Sequence, residues 1–328
     1  MPLTTLPRTL RASLSFAALA LACGASAQAQ TWPERTITIV VPTAPGGAND
    51  AIARILAQAL APRLGKSVIV DNRAGGSGTI ASEYVMHSAP DGYTIDFGYI
   101  ATHGINPVLQ KLRYDPVNDF EPIGMVAVSP TLMVSNPKLP VKNAAELVAL
   151  LKANPGKYSY ASAGTGSAPH LTGELFKLKA GVQMVHVPYK GSGPGLLDTI
   201  AGNTQVMFPS LFSAFPHVKA GQLRALALVG PKRSPSMPDL PTMAEQGIKD
   251  VEVTQWYALF FPAKTPRPIV ARMNRELNTV LAEPDTIKRI EAQGGEVETS
   301  TPDQLKEHVK KELARWKAVA AAAKISVD

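Results

Sequence analysis

Thr36-Ile-Thr-Ile-Val-Val-Pro-Thr-Ala-Pro-Gly-Gly-Ala-Asn-Asp50 is the stretch on which the fold turns. Its first half, Thr36 to Val41, is uncharged and rich in β-branched residues, the pattern of a strand buried on both faces. Pro42 and Pro45 end that strand, because proline has no N–H to donate to a ladder. Gly46 and Gly47 allow a tight turn and a close approach of the backbone to another group. Asn49 or Asp50 is then expected to cap a helix whose apolar residues Ile52, Ile55, Leu56, Ala59 and Leu60 recur at helical spacing. A strand, a glycine turn and a helix N-terminus in this order present unpaired N–H groups and a positive dipole end to an anion. Taken alone, the same order also describes an ordinary strand-to-helix connection.

The logic recurs more than a hundred residues later in the chain. Tyr158-Ser159-Tyr160-Ala161-Ser162 reads as a strand, Ala163-Gly164-Thr165-Gly166-Ser167 as a turn, and Ala168-Pro169-His170 as the start of a helix. The hydroxyls of Ser162, Thr165 and Ser167 add to the backbone donors. Two such turns, one in each half of the chain, suggest a cleft with an anion-accepting wall on either side. Charge-assisted hydrogen bonds contribute about 1.5–3 kcal/mol each, so a few of them support binding without an arginine clamp.

Outward from these two loops, strand-like runs alternate with helical patterns. Strands are expected at 67–70, 93–99, 125–128, 131–134, 158–161, 184–187, 205–208, 223–229 and 251–261. Helices are expected at 48–64, 79–88, 144–153, 170–179 and 195–200, and two more at 268–282 and 302–323. This alternation argues for an α/β architecture with mostly parallel sheets. The last helix would bury Leu305, Val309, Leu313 and Trp316.

The N-terminus reads as an export signal over residues 1–29. Arg8 and Arg11 precede an apolar run from Leu14 to Leu21, and Ala27-Gln28-Ala29 is a small-x-small cleavage site. Cys23, the one cysteine, lies inside this leader and is an alternative site for lipid attachment. Without the leader no cysteine remains, hence no disulfide and no thiol chemistry. The whole chain carries 33 Lys+Arg against 26 Asp+Glu. The basic residues near the C-terminus alternate with Glu307 and Glu312, which describes a solvated face and no nucleic-acid stripe.

Enzyme motifs fail on the same residues. The 164–168 segment is not a nucleophile elbow, no third glycine completes a dinucleotide fingerprint, and Lys190 precedes its glycine where a phosphate loop needs the reverse. The six histidines show no metal-ligand spacing, so neither a metal nor a cofactor is expected.

The ordered set of motifs resembles the periplasmic receptors of tripartite tricarboxylate transporters, the Bug receptors. It comprises Trp32-Pro33, Pro42 to Asp50, Asp71-Asn72-Arg73-x-Gly75-Gly76-x-Gly78, Pro90-Asp91-Gly92-Tyr93-Thr94 and Asn106-Pro107. It continues through Tyr114-Asp115-Pro116, Asp119-Phe120, Ala153-Asn154-Pro155-Gly156, Gly164-x-Gly166-Ser167-x-x-His170-Leu171 and Val187-Pro188-Tyr189-Lys190-Gly191. Gly230-x-Lys232-Arg233 and Pro238-Asp239-Leu240-Pro241-Thr242 complete it.

The resemblance implies a type II periplasmic-binding-protein fold, two α/β lobes around a ligand cleft joined by two crossing segments. Domain 1 would comprise 31–131 and 259–328, and domain 2 would comprise 132–258. It further implies a monomeric, non-catalytic receptor in the periplasm that hands a small organic carboxylate to transporter membrane subunits. The alternative is a ligand-bound receptor that docks on a sensor kinase.

The ligand would be held by Thr43, Ala44, Gly46, Gly47, Ala48, Asn49 and Asp50 of the first loop, and by Ser162, Gly164, Thr165, Gly166, Ser167, Ala168 and His170 of the second. Tyr99, Thr102 and His103 could line the cleft from the first lobe, with His103 as a turn cap the structural alternative. Tyr189 and Lys190 could close the cleft from the second. Thr43 stands where family members often carry an aromatic residue, which leaves a smaller and more polar wall. Asp96 interrupts an apolar strand and would need a buried partner.

Overall fold

The computed structural model describes residues 32–323. The expected leader and Cys23 lie outside the described residues.

Ile37–Val41 forms β1, with Ile37, Ile39, Val40 and Val41 buried. It lies parallel to β2 (Val68–Asn72) on one side and to β3 (Thr94–Tyr99) on the other. Helix α1 (Ala48–Leu64) connects β1 to β2 and buries Ile52, Ile55, Leu56 and Leu60. Gly65, in the left-handed conformation at φ 65°, ends it. Helix α2 (Thr79–Met86) follows β2, and a π-helical turn (Ala101–Ile105) and a short helix α3 (Asn106–Leu109) follow β3.

The chain then enters β4, Phe120–Ser135, a single strand where the pattern gave two runs separated by Ser129-Pro130. Residues 120–130 pair with β9 (Thr254–Pro262), which in turn pairs with β3. Residues 131–135 pair instead with β7 (Val206–Met207) and β8 (Arg224–Val229). One strand therefore serves two sheets, and Pro130, which has no N–H to give, marks the change of partner.

The second sheet is completed by β5 (Ser159–Ser162), parallel to both β6 (Val185–Pro188) and β7. Helices α4 (Ala144–Ala153), α5 (Ala168–Ala180), α6 (Ser192–Ala201) and α7 (Leu211–Lys219) belong to this half. Its core gathers Leu132, Val134, Ala161, Leu196, Met207, Leu211 and Leu228.

The return crossing runs through Val253, whose carbonyl accepts from Thr131 and whose N–H donates to Val229. Residues 254–258, placed in the second domain by the motif pattern, pair in β9 with the first sheet. After β9 come α8 (Arg267–Leu281), α9 (Pro284–Glu291), β10 (Glu296–Val297) and α10 (Pro302–Ala323). In α10, Leu305, Val309 and Trp316 are buried. The buried Glu312 carboxylate accepts from the indole N–H of both Trp256 and Trp316 at 3.0 Å, so Trp256 is a core residue of the first half. Among the described residues no helix is long and apolar enough to cross a membrane.

Candidate functional site

Three glycine-containing turns meet between the two halves. The first follows β1. Gly46 sits at φ 86°, and the helix cap is Gly47, one residue before Ala48, where a polar cap at Asn49 or Asp50 was expected. Asp50 instead occupies the first turn and reaches back, accepting the Gly46 N–H at 3.2 Å, in the manner of the acidic member of a capping box. It also accepts from Arg54 Nε at 3.0 Å and Asn72 Nδ2 at 3.1 Å. Burial pushes this carboxyl up, but the bonds from Arg54, Gly46 and Asn72 outweigh burial and hold it below the usual carboxylate value.

This first turn lies against the start of α6. The Ala44 N–H donates to the Lys190 carbonyl at 2.9 Å. A side chain at Gly193 would begin 2.6 Å from the Pro45 carbonyl oxygen, so the two backbones touch only because Gly193 has none. Thr43 and Asn49 are buried at this seam, and neither Thr43 Oγ1 nor Asn49 Nδ2 has a partner.

The second turn follows β5. Gly164 and Gly166 take φ of 121° and 85°. Ser167 Oγ donates to the Gly164 carbonyl at 2.6 Å, and Ser162 Oγ accepts the Gly164 N–H at 3.1 Å. Ser162 Oγ also lies 2.6 Å from His186 Nε2. His170 Nδ1 accepts the Gly166 N–H at 3.1 Å, which leaves its ring proton on Nε2. The His170 and His186 rings stack at 4.2 Å. Burial, then the neighbouring His170, pushes His186 down to about 4, and burial lowers His170. Both imidazoles are therefore neutral at pH 7 and serve to brace the turn.

The third turn, Gly75–Gly78, ends the Asp71–Gly78 motif and lies outside the expected ligand contacts. Gly75, Gly76 and Gly78 have φ of 141°, 54° and 98°, and Ser77 between them adopts φ 53°, rare for a residue with a side chain. Its carbonyl accepts from the Tyr99 hydroxyl at 3.2 Å and from Asn106 Nδ2 at 3.1 Å. Its hydroxyl crosses to the other half and donates to the Thr165 carbonyl. A side chain at Gly78 would meet Thr102 Cγ2 at 2.7 Å, so the turn lies flat on the residues beneath it.

Between these turns is a cleft of about 410 Å³, lined by Pro42, Gly75, Gly76, Ser77, Gly78, Gln110, Ala163, Gly164, Thr165, Pro188, Tyr189 and Lys190. Of the expected residues, Gly164, Thr165, Tyr189 and Lys190 line it. The Tyr189 hydroxyl is turned away, donating to Asp198 at 2.5 Å, so the ring rather than the hydroxyl faces the cleft wall. Burial and Asp198 push that phenol up to about 12. Lys190 is the one charged side chain of the lining and forms no ion pair among the described residues. Ala44, Gly46 and Gly47 sit at the closed seam. Ser162, Gly166, Ser167, Ala168 and His170 shape the second turn from behind.

Thr102 and His103 do not reach the cleft. Both are fully buried, and so, nearly, is Tyr99, which supports Ser77 from below. The His103 ring stacks on Phe260 at 4.1 Å and bonds Thr102 Oγ1 through Nδ1 at 2.9 Å. Burial pushes it down to about 3. Its other nitrogen lies 3.8 Å from Asp96, whose carboxyl burial pushes up to about 7 despite the Ser82 hydroxyl at 3.0 Å. The imidazole is therefore neutral in the core, and Ser82 is the one hydrogen-bond partner that Asp96 finds among the described residues, since neither Asp96 Oδ1 nor His103 Nε2 has one. Among the described residues no group of side chains could hold a metal ion.

Residues 52–325 match the family described as "Tripartite tricarboxylate transporter family receptor". The chain is 36% identical to Protein BugT of Bordetella pertussis over 298 residues, 90% of this chain and 91% of that one. Among solved structures, Rpa4515 of R. palustris with adipate superposes with a TM-score of 0.87 at 36% identity, covering 90% of this chain and 99% of that one. MatC of Rhodopseudomonas palustris with bound malate gives 0.84 at 33% identity, covering 88% and 99%. The two-lobed α/β fold implied by the motifs is the one observed.

Proposed function

From the premise that the chain belongs to the tripartite tricarboxylate transporter receptor family, we propose that it captures a small organic carboxylate in the cleft and presents it to the membrane subunits of a transporter. Receptors of this family bind solutes and are not enzymes. Carboxylate capture by a monomer, delivery and export by the leader at 1–29 make up the proposal.

The observation that carries it is the chemistry of the cleft wall. Backbone turns of both halves form most of it, no acidic side chain lines it, and Lys190 supplies its one charge. Behind Gly164 and Thr165 of this wall stands the N-terminus of α5, the positive end of its helix dipole. An anion is the solute such a wall favours. Adipate and malate, held by the two similar structures, are dicarboxylates that fit this description.

The test is a thermal-shift screen of the mature protein, unfolded and refolded to strip carried-over solute, against small carboxylates. A ligand at a hundred times its Kd stabilises the folded state by about 2.7 kcal/mol. A saturable, one-to-one hit without turnover supports the proposal. A well-folded protein that responds to no carboxylate overturns it.

A further inference from the structure

Asn106 is the least explained polar residue near the cleft. It is fully buried, at the start of α3, directly under the Gly75–Gly78 turn. Its Nδ2 donates to the Ser77 carbonyl at 3.1 Å, and that bond fixes which end of the amide points where. The carbonyl end, Oδ1, has no donor. It is aimed across to the opposite half, against Gly166, where a side chain would begin 2.7 Å away. Gln110 Nε2 lies 3.1 Å from the same point. Gln110 lines the cleft, and its side-chain amide makes no hydrogen bond to any described residue. A buried acceptor and a free donor thus flank Gly166, two residues before the first residue of α5.

A buried carbonyl without a donor is costly, and a solute that supplies one removes the cost. The donor must sit close to the group that occupies the α5 turn. If that group is a carboxylate, the donor is on the carbon beside it. An ammonium there would need a counter-charge, and no acidic side chain lines the cleft. A hydroxyl needs none, and its lone pairs suit the Gln110 amide. Resting on the carboxylate reading above, we propose that Asn106 and Gln110 are specificity-determining residues that select 2-hydroxycarboxylates over the same acids without the hydroxyl.

The experiment is calorimetric titration of the refolded protein with matched pairs that differ by one hydroxyl: malate and succinate, 2-hydroxyadipate and adipate, lactate and propionate. The expected result is at least tenfold tighter binding of the hydroxylated member in the pair whose length fits. Asn106→Ala should bring that ratio to within twofold. Tyr99→Phe, which removes the other bond to the Ser77 carbonyl, should weaken both members alike and keep the ratio, as loop support alone would. Should Asn106→Ala not fold, Asn106→Asp retains the acceptor, adds a charge and should shift preference from malate toward aspartate by tenfold or more. Pairs bound within twofold by the unaltered protein overturn the proposal, as does a ratio that survives Asn106→Ala, or binding confined to acids without the hydroxyl. Failure of every carboxylate to bind overturns the carboxylate reading itself, a different outcome from equal binding within a pair.

Discussion

The turns that open α1 and α5 are built from the same parts and have become different objects. Each follows a buried strand, contains glycine at positive φ and leads into a helix N-terminus. At α1 the positive end of the dipole is already occupied: Asp50, in the first turn, accepts from Gly46, Arg54 and Asn72. At α5 no acidic residue stands in the first turn, and the nearby His170 is neutral. An incoming anion would meet a neutralised helix end at α1 and an unneutralised one at α5. A strand–glycine–helix pattern therefore marks where an anion could sit, and the acid three residues past the cap decides whether the seat is free.

The comparison can be broken most severely at its glycines. Gly166→Val forces a β-branched residue into φ 85° and against Asn106 Oδ1, and should destabilise by about 3 kcal/mol or more and abolish solute binding. Gly47→Ala at α1 should change stability by less than about 0.5 kcal/mol, because Gly47 has φ −96° and a side chain there finds ordinary contacts from 3.6 Å outward. Chemical denaturation of both variants with calorimetry checks this, and equal effects would erase the asymmetry.

Asp50→Ala should cost about 2 kcal/mol through its lost charged bonds, while leaving carboxylate affinity unchanged or improved. Because the folded value of Asp50 lies below its unfolded one, its contribution is present above about pH 4–5 and is lost as pH falls through the folded value. The difference in stability between the two proteins should therefore shrink on acidification.

Asp96 has the opposite sign. Its folded value, about 7, lies above the unfolded 3.8, so stability is lost as pH rises toward and through 7. Asp96→Asn, which mimics the protonated acid, should gain about 2 kcal/mol on the unaltered protein between pH 5 and pH 8. A pH-independent difference would mean that the Asp96–His103 pair is charged. The smallest effect is expected at Ser77→Ala, which removes the bond across the cleft to Thr165 and should weaken solute binding by about 1 kcal/mol, or fivefold, in a titration.

Amphipathic periodicity made α4 legible to the residue and α1 and α10 legible as elements, and alternation of strand and helix was enough for the α/β architecture. Helix α7 carries Pro216 inside it, a residue that speaks against a helix at that point, and its nine residues fall between two strand-like runs. In the site, the glycine loops were visible because glycine is required by backbone conformation, a local property. That Gly75–Gly78 faces Gly164 and Thr165 was not, since nothing in either segment records which turn lies opposite. His103 was left open by its sequence between a cleft and a structural role, and what decides for the core is stacking on Phe260 and burial, both properties of the tertiary fold.

The central claim is that an anion, and not merely a polar solute of the right size, belongs in this cleft at the α5 turn. It is tested most directly by titrating the refolded protein with adipate and with adipamide, which has nearly the same shape without the charges. The account predicts binding of the diacid at least a hundredfold tighter than that of the diamide, with the difference narrowing as salt is raised. Equal affinity for the two would contradict it.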